Sequence, residues 1–300
     1  MPDKFVVNKN FHNVRFDKWF KQEIINLPNS LIQKLLRKNQ IKVNNKKIIS
    51  SFRVSEGDIV SIFNLSNYKP TDLKKKIKYL PTNREKEKID DFIIFNNDDY
   101  LVINKPRGIA VQAGTNNIKN ILDILKRTKY FNNSKPHIVH RLDKETSGVF
   151  IIAKNREAAQ FFTSLFRIRK IYKKYLAIVK GEVPKKLKKM EDYLEYYEKN
   201  KKKKLKAITL LKVLKSNNNY SFLELNPLTG RKHQLRKQLF LRGFPIIGDL
   251  KYNLNFNKKI KSKFMLLHAF SIKFIKNEKK INYKAELDEE FQKKLNLYFR

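Results

Sequence analysis

A dense polar segment runs directly into an apolar one at HRLDKETSGVFIIA, residues 140–153. The apolar half, Val149 to Ala153, predicts a buried strand, and the polar half predicts a loop held rigidly at the end of that strand. Asp143 stands close to Arg141 and Lys144, so its carboxylate should be ionised and suited to nucleophilic or electrostatic work. Taken alone, the segment is better explained by an Asp that caps a turn, which is the more common role.

Two further segments combine basic residues with groups that could contact a substrate. Residues 173–181 read KKYLAIVKG and predict a strand that carries Tyr175. Most strand tyrosines are core residues, but a few stack on nucleic-acid bases. Residues 228–236 read LTGRKHQLR, where Arg231 and Arg236 could pair with a carboxylate or hold a phosphate. A surface turn with ordinary basic residues explains this segment as well.

The composition points to a polyanionic partner. The 300 residues include 67 Lys and Arg against 28 Asp and Glu, which gives a net charge of +39. Nucleic acid is the first candidate for such a charge and an anionic membrane surface the second. Part of the charge could be compositional bias on solvated faces. No apolar run is long enough to span a bilayer, no long amphipathic basic helix is visible, and the first residues lack a signal-peptide core. We therefore expect a cytosolic protein without membrane attachment.

Several kinds of catalytic site are excluded by the residues available. The absence of cysteine excludes disulfides, thiol nucleophiles and thiolate metal sites. None of the five histidines lies in a zinc-binding pattern, and with eight glycines no phosphate-binding glycine loop is found. A nucleophile elbow is also missing. The sequence predicts neither a metal nor a cofactor.

The chain divides into two folded regions with a linker between them. Residues 14–64 predict a small α/β module of two helices followed by short strands, in which Lys34, Arg37 and Lys38 form a basic stripe on the second helix. Residues 65–90 predict a basic linker. From residue 91 to 300 dense strand patterns predict an α+β domain built on a large mixed sheet, with residues 184–206 as an exposed insertion.

The first region resembles the RNA-binding module first known from the fourth small-subunit ribosomal protein. The resemblance rests on RFDKW at 15–19, SLIQKLLR at 30–37, and IKVN at 41–44 with Gly57-Asp58 behind it. That family usually has glycine where Asn39 and Asn45 stand, and Asn is the best substitute where φ is positive. The resemblance implies that the helix with the basic stripe faces structured RNA.

The second region resembles the pseudouridine synthases of the RluA type, closest to the large-subunit ribosomal RNA synthases (RluC-like). The matching segments are NKPRG at 104–108, HRLDKETSG at 140–148, the strand at 173–181, and TGRKHQLR at 229–236, in the family's order. Later matches are Gly248-Asp249 with Tyr252, LHA at 267–269, and KAEL at 284–287. The resemblance covers nearly all of residues 90–300. After Arg236 the family usually continues with Val-His, whereas Lys237-Gln238 stand here.

The resemblance implies a fold, a reaction and a set of site residues. The fold is a large mixed, mainly antiparallel sheet flanked by helices, and the reaction isomerises uridine to pseudouridine without a cofactor. Asp143 matches the essential carboxylate, which either attacks the sugar or assists departure of the base. Arg236 matches its ion-pair partner and Tyr175 the residue that stacks on the target base. We further expect Arg141 to fill the gap left by a flipped-out uridine, and Leu267 to complete the apolar wall.

These observations lead to one prediction of function with two alternatives. The chain is expected to modify large-subunit ribosomal RNA as a monomer. A transfer RNA synthase is the alternative within the class. From another class, a non-catalytic RNA-binding factor of ribosome assembly would have no need of Asp143, Tyr175 and Arg236 together.

Overall fold

A computed structural model describes residues 2–69, 79–113, 119–132, 134–198, 201–253 and 264–300. The chain forms two compact units, Met1–Ile77 and Lys78–Arg300. Among the described residues, no helix has the length and apolar character needed to cross a membrane.

The N-terminal unit packs two helices against a three-stranded sheet. Its elements are β1 (Asp3–Val6), β2 (Val14–Arg15), α1 (Phe16–Glu23), α2 (Asn29–Arg37), β3 (Ile41–Val43), β4 (Arg53–Val54) and β5 (Ile59–Ile62). The antiparallel sheet has the order β1-β5-β3, and β2 pairs separately with β4. The inward faces of both helices and of the sheet bury one apolar core around Phe16, Trp19 and Phe20. The core stabilises the unit, and the polar faces of the helices stay free for binding.

The asparagines that replace the family's glycines take the backbone conformation that glycine would supply. Asn39 ends α2 with φ of 57°, and Asn45 follows Asn44 in the turn after β3 with φ of 61°. Asn tolerates this left-handed region better than other side chains because its short amide bonds locally. The sequence departure therefore leaves the module intact.

The predicted boundaries of the module and linker are both wrong. The module does not begin at residue 14, because β1 pairs with β5 over Asp3–Val6. The segment predicted as linker contains α3 (Asn83–Glu87), which begins with a capping box formed by Thr82 and Glu85. Ile89 is buried in the core of the second unit. Residues 70–78 of the predicted linker lie outside the described residues.

The second unit is built on one large sheet, as predicted. Its strands follow the order β11-β12-β13-β10-β14-β9-β7-β6, with β15 paired to β14 and β8 to β9. All pairs are antiparallel except β9 with β14, so the sheet is mixed and mainly antiparallel. The strand bounds are β6 (Ile93–Asn96), β7 (Tyr100–Lys105), β8 (His137–Ile138), β9 (Ser147–Ala153), β10 (Tyr172–Lys180), β11 (Lys189–Glu198), β12 (Lys201–Ser216), β13 (Tyr220–Pro227), β14 (Leu267–Lys276) and β15 (Lys279–Lys284).

Helices cover both faces of this sheet. They are α4 (Ile121–Leu125), α5 (Arg156–Arg167), α6 (Gln234–Leu241) and α7 (Glu289–Tyr298). Alternate residues of β9 pack in opposite directions: Phe150 and Ile152 join the core beside α4, and Val149 and Ile151 join the core beside α5. A strand buried on both faces is apolar throughout, which explains its unbroken run of hydrophobic residues.

The parallel contact between β9 and β14 requires a glycine. Gly148 lies opposite Ala269, and a Cβ at this position would overlap the Ala269 backbone. Its φ of 110° is also unfavourable for other residues. Gly148 therefore lets the loop before β9 approach β14 closely.

Residues 184–206, which were predicted as an exposed insertion, are largely part of the sheet. Most of them belong to β11 and the first part of β12, which pair along Lys189–Glu198 and form the end of the sheet. The described outward positions are mostly charged, whereas Met190, Leu194 and Ala207 are buried. The many lysines obscured this two-residue alternation in the sequence.

Candidate active site

Asp143 and Arg236, which are far apart in sequence, meet in a direct ion pair. Arg236 donates from Nη1 to Oδ2 of Asp143 over 2.9 Å. It also donates from Nε and Nη2 to the two carboxylate oxygens of Asp249, over 2.6 and 2.8 Å. The Asp249 side chain is fully buried, whereas that of Asp143 remains 29% exposed. Asp249 therefore holds the guanidinium through Nε and Nη2, and the remaining nitrogen, Nη1, binds Asp143.

Burial of Arg236 disfavours its charge, but the hydrogen bonds to Asp249 and Asp143 outweigh burial and raise its pKa above the usual value. The group is a permanent cation held between two carboxylates. Such an arrangement fixes the direction of the accessible Asp143 carboxylate, which is the property a catalytic carboxylate needs.

Buried amide side chains hold α6, the helix that carries Arg236. Gln234 accepts from the hydroxyl of Thr229 over 2.7 Å and donates to the Ile208 carbonyl over 3.1 Å. Gln238 accepts from the hydroxyl of Thr209 over 2.6 Å and donates to the Ala207 carbonyl over 3.1 Å. These bonds tie one face of α6 to the sheet and so fix the position of Arg236.

The departure from the family pattern at Lys237-Gln238 has a structural explanation. Gln238 is fully buried, and its amide also donates to the Asp192 carboxylate over 2.7 Å. Lys237 donates to the Glu195 carbonyl over 3.2 Å. Both residues connect α6 to the β11–β12 end of the sheet.

His233 and Tyr252 belong to the same cluster, although the sequence did not identify them as site residues. Nε2 of His233 lies 3.7 Å from Oδ1 of Asp143, and its Nδ1 shares a 3.0 Å hydrogen bond with the Tyr252 hydroxyl. The Tyr252 ring also lies under the Arg236 guanidinium, 5.1 Å from its centre. Burial lowers the pKa of His233 and raises that of Tyr252. Their positions in TGRKHQLR and next to Gly248-Asp249 were the available signals.

Tyr175 lies where β10 changes its register against β14. The shift falls between Lys174 and Tyr175, and irregularities of this kind often redirect a side chain beside an active site. The half-buried Tyr175 ring packs at the edge of two core clusters, one of which includes Leu267. Burial raises the pKa of Tyr175, and the charge of nearby Asp143 raises it further. Leu267 is buried, with 3% exposure.

Lys105 supports the Asp143 loop from inside the protein. Its fully buried ammonium donates to the carbonyls of Pro106, Ile109 and Lys144 over 2.8, 3.0 and 3.2 Å. Burial lowers the pKa of Lys105 to about 7, although the charges of Glu145 and Asp143 act in the opposite direction. The Lys144 carbonyl also accepts from the Gly108 amide over 2.9 Å. Hydrogen bonds therefore connect residues 104–109 to the loop that carries Asp143. No pattern in the sequence indicated that this lysine is buried.

The other predicted site residues are exposed. Arg141 lies in the Asp143 loop and forms no ion pair with another described residue. Lys34, Arg37 and Lys38 are exposed on α2, opposite its buried residues. Within the described ranges, no group of three or more His, Cys, Asp or Glu side chains could hold a metal ion.

Comparison with known proteins gives a consistent identification. The family model described as RNA pseudouridylate synthase matches residues 99–240. The protein named ribosomal large subunit pseudouridine synthase C from Rickettsia bellii is 36% identical, over 93% of this chain and 96% of its own length. Its namesake from Buchnera aphidicola subsp. Schizaphis graminum is 32% identical, over 97% and 95%.

A solved structure supports the same conclusion. Human RNA pseudouridylate synthase domain containing 4 is 28% identical, with a TM-score of 0.61, and the match covers 71% of this chain and 95% of that one. Because these relatives are more than 30% identical over nearly the whole chain, this chain belongs to the RNA pseudouridine synthase family, as an isomerase of uridine in RNA.

Proposed function

We propose that this enzyme converts uridines of large-subunit ribosomal RNA to pseudouridine, with Asp143 as the catalytic carboxylate. The ion pair of Asp143 with Arg236 carries the proposal, because it aims an accessible carboxylate with a buried arginine. The names of the relatives favour large-subunit ribosomal RNA over transfer RNA. A monomer in the cytosol, as expected from the sequence, completes the proposal.

The reaction breaks the bond between C1′ of ribose and N1 of uracil, turns the base, and joins C1′ to C5. The proton on C5 then moves to N1, directly or through solvent, so the product is an isomer of the substrate. Asp143 either attacks C1′ or stabilises the sugar as the base departs, and a fixed anion suits both routes. Arg236 orients this anion through its bond to Asp143 and is itself held in place by its two bonds to Asp249.

Tyr175 and Leu267 supply the apolar side of the proposed site. An aromatic ring can stack on a uracil that has left the RNA helix, and a buried aliphatic residue next to it limits water. Exposed Arg141 is the proposed occupant of the space that the uridine leaves. No step of this scheme needs a metal or an organic cofactor.

The test uses a host strain that lacks the gene. Pseudouridines are mapped in its ribosomal and transfer RNA, and again after restoring the gene as wild type, Asp143→Asn or Glu145→Gln. We expect the missing ribosomal sites to return with wild type and with the control Glu145→Gln, whose carboxylate is exposed in the same loop. Asp143→Asn should lower the purified enzyme's rate by at least about 1,000-fold, because an amide cannot supply the anion.

Each other outcome has a definite meaning. Sites that return with Asp143→Asn would refute the role of Asp143. Sites found only in transfer RNA would refute the ribosomal substrate. Sites present in all strains, with RNA binding retained, would favour the assembly-factor alternative.

A further inference from the structure

The outer face of the N-terminal sheet contains a basic groove that the catalytic cluster does not use. It is a cavity of about 530 Å³ lined by Pro2, Lys4, Lys42, Asn45, Ser61 and Phe63. This volume lies within the range of about 300–1,000 Å³ that small-ligand sites occupy. We call it the sheet groove.

The strand register places two lysines on either side of one serine. Ser61 of β5 lies opposite Lys4 of β1 on one side and opposite Lys42 of β3 on the other. Directly opposed residues share a face of the sheet, so these three side chains form one row. Because their neighbours Val60 and Ile62 are fully buried, the row lies on the face turned away from the core.

The row has unused hydrogen-bonding and charge capacity. Ser61 is only 4% exposed, and its side chain makes no hydrogen bond with any other described residue. Neither Lys4 nor Lys42 pairs with a described carboxylate. Among the described residues, the Ser61 hydroxyl is not one of the fully buried polar atoms that lack a partner, so it remains open to the groove. An anionic oxygen between the two lysines would supply a partner for Ser61 and would neutralise both cations.

The ends of the groove differ from its centre and fit the rest of a nucleotide. Phe63 is half-buried, and its backbone amide is fixed to the Gln40 carbonyl over 2.9 Å. A partly exposed aromatic ring beside lysines is the usual arrangement for stacking a base while holding its phosphate. Asn45 is exposed in the two-residue turn after β3 and can donate an amide to a base edge.

The sheet groove and the basic stripe of α2 lie on opposite sides of one core. The inner faces of both elements belong to the same apolar cluster, which includes Leu35 of α2 and Val60 of β5. RNA that contacts the stripe cannot also fill the groove without passing around the module. The groove is therefore a separate contact.

We propose that the sheet groove binds a nucleotide of single-stranded RNA, with its phosphate between Lys4, Lys42 and Ser61 and its base against Phe63. The inference extends the proposed RNA substrate, but it concerns a surface in the other unit of the chain. Its expected contribution is affinity for an unpaired segment of the substrate RNA.

The test measures binding of the full chain to a 12-nucleotide oligouridylate over a series of salt concentrations. Lys4→Gln/Lys42→Gln should weaken binding about tenfold and reduce the log–log salt slope by about 0.7 for each phosphate that the variant no longer neutralises. Ser61→Ala should weaken binding about threefold without changing the slope, because it removes a hydrogen bond and no charge. Lys18→Gln/Lys21→Gln on α1 removes the same charge across the core and should change binding less than twofold.

Two results would overturn the inference. One is a loss of affinity in the groove variant no larger than in the α1 control pair. The other is unchanged oligouridylate binding together with weaker binding to ribosomal particles, which would mean that the groove contacts something other than single-stranded RNA. Because binding is measured without turnover, this test is independent of the one on Asp143.

Discussion

Asp143 and the basic stripe of α2 are both expected to meet RNA, yet the protein holds them in different ways. Asp143 is aimed by Arg236, which is itself fixed by the buried Asp249. Lys34, Arg37 and Lys38 project from a helix whose other face packs in an apolar core, and they form no ion pairs with described residues. A reacting group requires a fixed direction, whereas attraction to phosphate requires only charge. Substitutions around Asp143 should therefore reduce stability and turnover, whereas substitutions in the stripe should reduce RNA affinity alone.

The largest loss of stability and activity is expected when Arg236, which orients Asp143, is removed. Arg236→Ala leaves the buried Asp249 without its ion-pair partner, although two backbone amides still donate to it, and breaking such a pair costs about 3–5 kcal/mol of unfolding free energy. Turnover should be lost as well. Denaturant unfolding and a pseudouridine assay measure both effects. Arg242→Ala is the control, because this arginine ends the same helix and pairs with the half-buried Asp192. An equal loss in both variants would contradict a special role for Arg236.

The next effect tests the close approach between β9 and β14. Gly148→Ala combines a positive φ with overlap of the Ala269 backbone and should destabilise the protein by about 3 kcal/mol. Gly108→Ala has a similar positive φ, of 78°, but open space around the Cβ, so about 1 kcal/mol is expected. The difference between the two melting temperatures measures the packing contribution. Equal shifts in melting temperature would mean that β9 and β14 can move apart to accommodate a Cβ at residue 148.

A smaller effect is a pH dependence of the unfolding free energy, which arises from His140 next to the Asp143 loop and not from the exposed stripe. His140 accepts the Ile151 amide at Nε2 over 2.9 Å, and burial lowers its pKa to about 3. In the unfolded chain His140 has a pKa near 6.5 and binds a proton more readily than in the folded protein. The contribution of neutral His140 to the unfolding free energy is therefore complete above pH 6.5 and is lost as pH falls towards 3. Between pH 8 and pH 5 the loss is about 2 kcal/mol.

His140→Gln retains an acceptor for the Ile151 amide but does not titrate. Its unfolding free energy should therefore depend less on pH between 8 and 5 than that of the wild type. Parallel pH profiles for the two proteins would show that His140 does not carry the difference.

The smallest effect on folding is expected at the stripe. Changing Lys34, Arg37 and Lys38 to Gln should alter the unfolding free energy by less than about 0.5 kcal/mol, since the side chains are exposed. RNA affinity should fall about tenfold, with a shallower salt dependence. Lys279, Lys280 and Lys284, exposed on β15, provide a control with equal charge loss. Equal weakening by both triple variants would mean that only net charge matters.

Local patterns predicted the sheet class, and the ion pair between Asp143 and Arg236 that the resemblance implied is present in the structure. The apolar run after Asp143 indicated a buried strand, and the order of four motifs indicated the family. The patterns failed where composition masked periodicity. In β11 and β12 most of the described outward positions carry Lys or Glu, and residues 201–204 of the sequence are all lysine, so the alternation was read as an exposed insertion. The start of the module was missed because β1 is a single short strand whose partner, β5, lies more than fifty residues later.

The sequence by itself determined which chemical groups are available: one motif-bound carboxylate, its candidate arginine, an aromatic residue for stacking and a large excess of positive charge. Only the tertiary structure decided which of them are buried and which are paired. Lys105 and Gln238 look like surface residues in the sequence, yet both are fully buried because carbonyls and side chains from distant segments complete their hydrogen bonds. Asp249 likewise becomes part of the site through Arg236. Burial and pairing depend on contacts between segments far apart in the chain, and no local pattern encodes those contacts.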